Sequence, residues 1–256
     1  MKIDTIGFFA AQADGFGETL ANRRGRNDMI DGVLSQAFSS FDGNVELETQ
    51  TESYPKIACG KGCATCCTLR VTATAPEVLL IERFLRWSEF PDRKLNLQKR
   101  LQKANQVTCG LDEEQRVKLR RRCPFIEQGS CMIYPVRPLA CRGHACYDRQ
   151  ACVDAARGRI NYIPISEPHR IFRGLIQNAL LSALRDAGYA WGIYELNQAL
   201  TIALNDKSCQ ARWMAGQDVF IQARIADVSQ TEMANLFDQI QQINSASSGS
   251  QLNNLN

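Results

Sequence analysis

Four cysteines fall within nine residues of this chain, in the segment Cys59-Gly-Lys-Gly-Cys-Ala-Thr-Cys-Cys67. Cysteines separated by two or three residues let one short loop surround a soft cation or an iron-sulfur cluster, with thiolate sulfur as the ligand. Gly60 and Gly62 favour a loop, because glycine adopts the positive φ angles that a chain needs to curl around an ion. Buried apolar cysteines and a disulfide pair are the alternatives. The density of the thiols favours a metal site over both.

A second cysteine block follows, Cys123-Pro-Phe-Ile-Glu-Gln-Gly-Ser-Cys131-Met-Ile-Tyr-Pro-Val-Arg-Pro-Leu-Ala-Cys141-Arg142. Its prolines, glycine and serine predict a rigid chain of turns that displays three thiols. His144 is a further candidate ligand, because histidine commonly binds zinc; the alternative is a hydrogen-bonded surface histidine. Cys146 and Cys152 extend the candidate set, whereas Cys109 is ambiguous. Cys209 stands alone and is predicted to be a core or surface thiol.

The predicted metal ligands are eight cysteines: Cys59, Cys63, Cys66, Cys67, Cys123, Cys131, Cys141 and Cys146. Such a set suits a 4Fe-4S cluster with three or four ligands and the remaining thiols structural. It equally suits one or two closed tetrahedral zinc sites. Because the set exceeds four thiols and contains at most one histidine, it favours iron-sulfur over zinc. The adjacent Cys66 and Cys67 are expected to point in different directions, so that only one reaches a given metal atom.

The two blocks together read Cys-x3-Cys-x2-Cys-Cys and Cys-Pro-Phe-x5-Cys-x2-Tyr-x2-Arg-Pro-x2-Cys-Arg. This pattern, from Cys59 to Arg142, resembles the YkgJ-type cysteine-cluster family, which is described as a zinc- or iron-chelating domain. The resemblance implies metal chelation, and all the predicted ligands except Cys146 fall on the family pattern. It does not cover the first forty residues or the C-terminal third. A related set acts as flagellin lysine N-methylases, which implies an enzyme as an alternative.

The composition is that of a protein with an ordinary core. The chain has 256 residues, 45% of them hydrophobic, which suffices to bury a core without help from a metal. Of the 11 cysteines, only Cys209 lies outside the range 59–152, and disulfide scaffolds are normally shorter and secreted. No secretory or membrane-spanning segment is predicted, so we expect a reducing cytoplasm. The formal charge of +3 says little about partners, because metal-bound thiolates would lower it.

Apolar residues at three- and four-residue spacing predict a mainly α fold, in which a helical scaffold carries an irregular cysteine-rich core. Helices are expected within 8–41, in three stretches between 168 and 243, and after Thr74, where Glu77 completes a capping box. The predicted organisation is an N-terminal helical segment (1–54), a metal-binding domain (55–160), a helical region packed on it (161–244) and a disordered tail (245–256).

A basic stretch lies between the two blocks. Residues 83–122 carry twelve Lys or Arg and five acids. A stretch of this kind can bind nucleic acid, but without interleaved aromatic residues it favours a solvated helix face. Arg137 and Arg142 are expected to offset thiolate charge, with a substrate clamp as the alternative, and Tyr134 is expected to be a packing anchor. The sequence therefore predicts neither a nucleic-acid nor a membrane partner and leaves a protein partner open.

The sequence alone leaves three functions open. The first is a metal-binding protein that chelates an iron-sulfur cluster or zinc, with redox activity if the group is a cluster. The second is an iron-sulfur enzyme using S-adenosylmethionine, because Cys59, Cys63 and Cys66 reproduce the spacing of radical enzymes of that class. Two features argue against the barrel fold of that class. Thr65 occupies the position before the third cysteine that is usually aromatic, and the chain lacks repeating strand-helix units. The third is a regulatory protein that senses metal or redox state.

Overall fold

The computed structural model describes residues 3–50, 54–60, 62–87 and 91–252, and 62% of the chain is helical, which confirms the mainly α prediction. The helices are α1 (Thr5–Asn22), α2 (Met29–Thr49), α3 (Ala75–Trp87), α4 (Pro91–Thr108), α5 (Glu113–Leu119), α6 (Leu139–Arg142), α7 (Arg149–Ala156), α8 (Glu167–Asp186), α9 (Leu196–Asn205), α10 (Cys209–Met214) and α11 (Gln230–Leu252). The strands are β1 (Thr72–Thr74), β2 (Ile126–Glu127), β3 (Ser130–Cys131) and β4 (Ile193–Glu195).

The helices at the two ends of the chain form one apolar core. Helix α1 packs along α8, α2 and α11, and α9 packs against α3 and α4. Phe16 on α1, Val33 on α2 and Ile176 on α8 are fully buried in a single cluster. The helices predicted within 8–41 and between 168 and 243 are therefore confirmed, and their apolar faces meet each other.

A short antiparallel pair of strands connects the cysteine-rich part to this core. Strand β1 follows the first cysteine block directly and pairs with β4, placing Thr72 opposite Glu195 and Thr74 opposite Ile193. Helix α3 then begins at Ala75, as predicted, and the Glu77 carboxylate accepts a hydrogen bond from the Thr74 backbone N–H at 2.7 Å. The described strands form two two-stranded sheets, so they do not make the strand-helix barrel of radical S-adenosylmethionine enzymes.

The last helix is longer than the composition predicts. It continues through Leu252, into the segment from Ser245 that we expected to be disordered. Extending an existing helix costs far less than nucleating one, which explains how a polar Ser-rich segment continues α11. Residues 253–256, the rest of the predicted tail, lie outside the described residues. None of the helices within the described ranges is both long and apolar enough to cross a membrane.

Candidate metal centre

The first cysteine block is a loop of consecutive tight turns, as its spacing predicts. Cys63 N–H donates to the Gly60 carbonyl at 3.0 Å, and Cys67 N–H donates to the Ala64 carbonyl at 3.3 Å. Gly62 has φ of +90°, a conformation that residues with a Cβ rarely adopt. Lys61, in the same loop, lies outside the described residues. The curled backbone turns the thiols of the loop toward the second block.

The second block is bound to the first by backbone hydrogen bonding. Cys123 N–H donates to the Cys67 carbonyl at 2.6 Å, which places the start of the second block beside the end of the first. Strands β2 and β3 then form a small hairpin, and helix α6 carries Cys141. The predicted chain of turns is therefore correct for most of the block, with a hairpin and one helical turn added.

Seven of the eight predicted ligands line one cavity of about 140 Å³. They are Cys59, Cys63, Cys66, Cys67, Cys123, Cys131 and Cys141, and they are joined there by Tyr134, Arg137 and His144. Phe125, Ile133 and Leu196 supply apolar walls. The volume greatly exceeds the roughly 10–15 Å³ that a single water requires.

In the described parts of the chain, no group of three or more His, Cys, Asp or Glu side chains has the spacing of a ready-made ion site. The assignment of individual thiols to a metal therefore stays a prediction.

Cys66 and Cys67 both line the cavity. The neighbouring Cys67 side chain, together with burial, raises the pKa of the Cys66 thiol far above its ordinary value. Our expectation that only one of the two reaches a given metal atom stays a prediction.

Burial favours the protonated thiol at three of the cysteines that line the cavity. It raises the pKa of Cys59 to about 11 and that of Cys123 to about 12, and it raises the pKa of Cys141 further still. Thiolate is the form that binds metal, so metal binding at neutral pH must release these protons.

We expect the metal-free protein to lose stability as the pH rises above 9. The pKa of Cys59 and Cys123 is higher in the fold than the ordinary value of 9.0. Their contribution to stability is therefore complete below pH 9 and is lost as the pH rises through about 11 to 12. For the deeply buried Cys123, each unit by which the pKa is raised corresponds to about 1.4 kcal/mol, and the more exposed Cys59 contributes less because solvent screens its charge. Urea unfolding followed by circular dichroism at several pH values measures this effect.

The matched control compares Cys123→Ala with Cys109→Ala, because Cys109 is exposed. The alkaline loss should shrink in Cys123→Ala and persist in Cys109→Ala. An identical pH profile in the two variants would contradict the assignment of the loss to the cavity thiols.

Several buried side-chain nitrogens around the cavity have no hydrogen-bond partner in the described structure. They are Nε2 of His144, Nε of Arg137, and Nε and Nη1 of Arg116. A buried donor without a partner is costly, and a buried cation more so. Negative charge from metal-bound thiolates would satisfy the arginines, and the His144 nitrogen is free to bind a metal. The residues present therefore fit a metal-thiolate group.

Arg116 is a residue whose role the sequence did not predict. It belongs to the basic stretch that we interpreted as a solvated face, yet it is only 2% exposed. Its Nη2 donates to the Leu69 carbonyl at 3.2 Å, beside the first block, and its charge acts on Cys123. The sequence offered one signal for this role, the position of Arg116 seven residues before Cys123. That signal is weak, because Lys118 lies even nearer to Cys123 and is exposed.

Arg137 and Arg142 have different environments. The guanidinium carbon of Arg137 lies 4.1 Å from the Tyr134 ring centroid, and both residues line the cavity, so the packing role of Tyr134 stays a prediction. Arg142 instead donates to Asp42 at 3.1 Å and to the Pro135 carbonyl at 2.8 Å. Its guanidinium therefore fixes the second block to α2, and the expectation that Arg142 offsets thiolate charge stays a prediction.

Cys146 is the predicted ligand that does not line the cavity. Its sulfur lies 2.9 Å from that of Cys152 and 3.8 Å from that of Cys59, and its N–H donates to the Cys59 sulfur at 3.3 Å. Cys59 therefore belongs both to the cavity and to this second thiol group. Cys209 is buried at the start of α10 away from the cavity lining, as predicted for a core thiol, and Cys109 is exposed.

Comparison with known families identifies this part of the chain. Residues 58–157 match the family model described as "CxxCxxCC: Putative zinc- or iron-chelating domain". This cysteine-rich segment is similar to that family. The match confirms the resemblance found between Cys59 and Arg142 and extends it over Cys146 and Cys152. No curated protein and no solved structure gives a significant match to the chain.

The cysteine-rich segment is attached to the parts of the chain that precede and follow it in sequence. Arg70, whose side chain is 9% exposed, forms an ion pair with Asp227 at 2.6 Å. Leu196 N–H donates to the Val71 carbonyl at 3.0 Å, and Leu196 also lines the cavity. With the Arg142 to Asp42 pair, these contacts hold the segment to both terminal regions. The helical parts therefore supply one wall of the cavity as well as the scaffold.

Proposed function

We propose that the chain binds an iron-sulfur cluster of the 4Fe-4S type in the cavity of its cysteine-rich segment and serves as a redox protein. The observation that carries the proposal is the lining of one cavity by seven cysteine side chains. A closed zinc site needs only four ligands, whereas a cluster occupies more space than one ion. When bound, the cluster would supply one-electron transfer.

The charges around the cavity support this proposal. Arg137 lines the cavity, and its charge acts on Cys66, Cys131 and Cys141. The charge of Arg116 acts on Cys123. Two buried or partly buried cations beside a set of thiols offset the negative charge that thiolate ligands bring, and hydrogen bonds to sulfur tune the potential of a cluster.

The proposal also places the protein in a reducing compartment, the cytoplasm. All 11 cysteines are free thiols, and their oxidation to disulfides would remove the ligands.

The test is anaerobic purification followed by analysis of iron, zinc and acid-labile sulfide, together with the visible absorption spectrum. We expect iron with matching sulfide and a broad sulfur-to-iron charge-transfer band. Colourless protein with stoichiometric zinc and no sulfide would overturn the iron-sulfur assignment and make the site a structural zinc centre. Protein that binds neither metal on reconstitution would overturn metal binding altogether.

A further inference from the structure

Glu77 is a fully buried carboxylate on α3, the helix that follows the first cysteine block. It forms a hydrogen bond to α6, the helix of the second block. It lies in the first turn of α3 and is 1% exposed. Its Oε2 accepts from the Thr74 backbone N–H at 2.7 Å and from the Thr74 hydroxyl at 3.0 Å. Its Oε1 accepts from the Leu139 N–H at 2.7 Å. A carboxylate that accepts three hydrogen bonds in a dry interior is strongly held in place.

Leu139 is the first residue of α6, the short helix that carries Cys141. No side chain of the helix's own N-cap residue, Pro138, accepts from this helix. The carboxylate of Glu77 replaces the missing cap from a position 62 residues earlier in the chain. The helix that presents Cys141 therefore depends on α3 for the hydrogen bonding of its first turn.

The other end of α6 is fixed by close packing. A Cβ at Gly143 would lie 2.4 Å from the Cβ of Arg173 and 3.1 Å from the His169 carbonyl oxygen, so only glycine allows α8 to approach this closely. Arg173 also supplies positive charge near Glu77. Helix α6 is thus held between α3 and α8.

We propose that Glu77 is a positioning residue for the metal centre, which sets the place of Cys141 relative to the thiols of the first block. This inference rests on the proposed function, because it concerns the same cavity. Glu77 does not line the cavity itself, so it acts through Leu139 and α6.

The experiment compares Glu77→Gln with Glu82→Gln. Glutamine keeps the volume of Glu77 but offers one acceptor oxygen, so either Thr74 or Leu139 faces an amide NH₂ group instead. Glu82 is a matched control, because it is also buried on α3 and charged but pairs with Arg86 rather than with the second block. Affinity for Fe²⁺ added anaerobically to the metal-free proteins is measured by competition with a chelator, and circular dichroism checks that each variant is folded.

We expect roughly 10–100-fold lower metal affinity in Glu77→Gln, as found for residues that orient metal ligands, and no comparable loss in Glu82→Gln. In the metal-free proteins, alkylation of Cys141, mapped by mass spectrometry, should be faster in Glu77→Gln than in wild type or Glu82→Gln. Unchanged affinity and unchanged alkylation in folded Glu77→Gln would overturn the inference. An equal loss in both variants would also overturn it, because the effect would then be general destabilisation of α3.

A measurement on the wild-type protein covers the case in which Glu77→Gln does not fold. The Leu139 amide of metal-free wild type should be strongly protected from hydrogen exchange, whereas exchange at the rate of a solvent-exposed loop would overturn the role of Glu77. The two proposals fail differently. Wild type that binds no metal overturns the proposed function, while the exchange and alkylation measurements still test Glu77.

Discussion

Replacement of Cys141 by alanine is expected to abolish stoichiometric metal binding. Cys141 lines the cavity, and its charge would act on Cys123, Cys131 and Cys66, so its sulfur lies where the two blocks meet. Cys63→Ala should have the same effect from the first block. Loss of one ligand from a cluster or a tetrahedral site removes a metal–sulfur bond, and the fold around residues 58–157 should lose stability with it. Metal and sulfide analysis and thermal unfolding measure the two effects.

Cys209→Ala is the matched control for this prediction. Cys209 is 2% exposed, so its replacement also removes a buried thiol, but it lies at the start of α10 and not in the cavity lining. We expect full metal content in this variant and only the modest stability loss of a small core truncation, on the order of 1 kcal/mol. Full metal occupancy in Cys63→Ala and Cys141→Ala would show that these thiols are not ligands.

Replacement of Arg137 by glutamine is expected to lower the reduction potential of a bound cluster. The Arg137 guanidinium lines the cavity, its Nε has no hydrogen-bond partner in the described structure, and its charge acts on Cys131 and Cys141. Reduction adds negative charge, which a nearby cation stabilises. A charge-assisted hydrogen bond contributes roughly 1.5–3 kcal/mol, which for a one-electron couple corresponds to a fall of roughly 60–130 mV. Anaerobic redox titration of the visible absorption measures the shift.

Arg142→Gln serves as the control, because it also removes one positive charge from the second block. Because Arg142 directs its donors to Asp42 and to the backbone of the second block, this variant should lose stability while its potential moves much less than that of Arg137→Gln. Equal shifts of potential in the two variants would mean that the potential responds to the net charge of the block and not to the position of Arg137.

The sequence predicted the parts of this structure that depend on local spacing. The period of apolar residues such as Leu180 and Leu184 gave the helices, and the Thr74 to Glu77 interval gave the start of α3. The intervals between cysteines predicted a thiol-lined site, because loops that short constrain where their side chains lie. Seven of the eight predicted ligands accordingly share one cavity.

Contacts between distant segments were outside the reach of the sequence. Cys146 contacts Cys152 and Cys59 because the chain returns there after the second block, and no local interval signals that return. Arg116 is buried although most of its basic neighbours are exposed, because it alone meets the Leu69 carbonyl. The hydrogen bond from Leu139 to Glu77 likewise spans 62 residues and leaves no local pattern.

The pairing of β1 with β4 also constrains when, during synthesis of the chain, the cavity can close around a metal. Thr72 finds its partner only when Glu195 has been synthesised, and Leu196, part of the cavity wall, emerges immediately afterwards. Ten of the 11 cysteines precede these residues in the chain, so the growing polypeptide leaves the ribosome with its thiols ahead of the wall that encloses them. Closure of so long a loop is a late step in folding. Insertion of a metal group into the enclosed cavity is therefore expected to follow the synthesis of Leu196, and until then the thiols need a reducing environment.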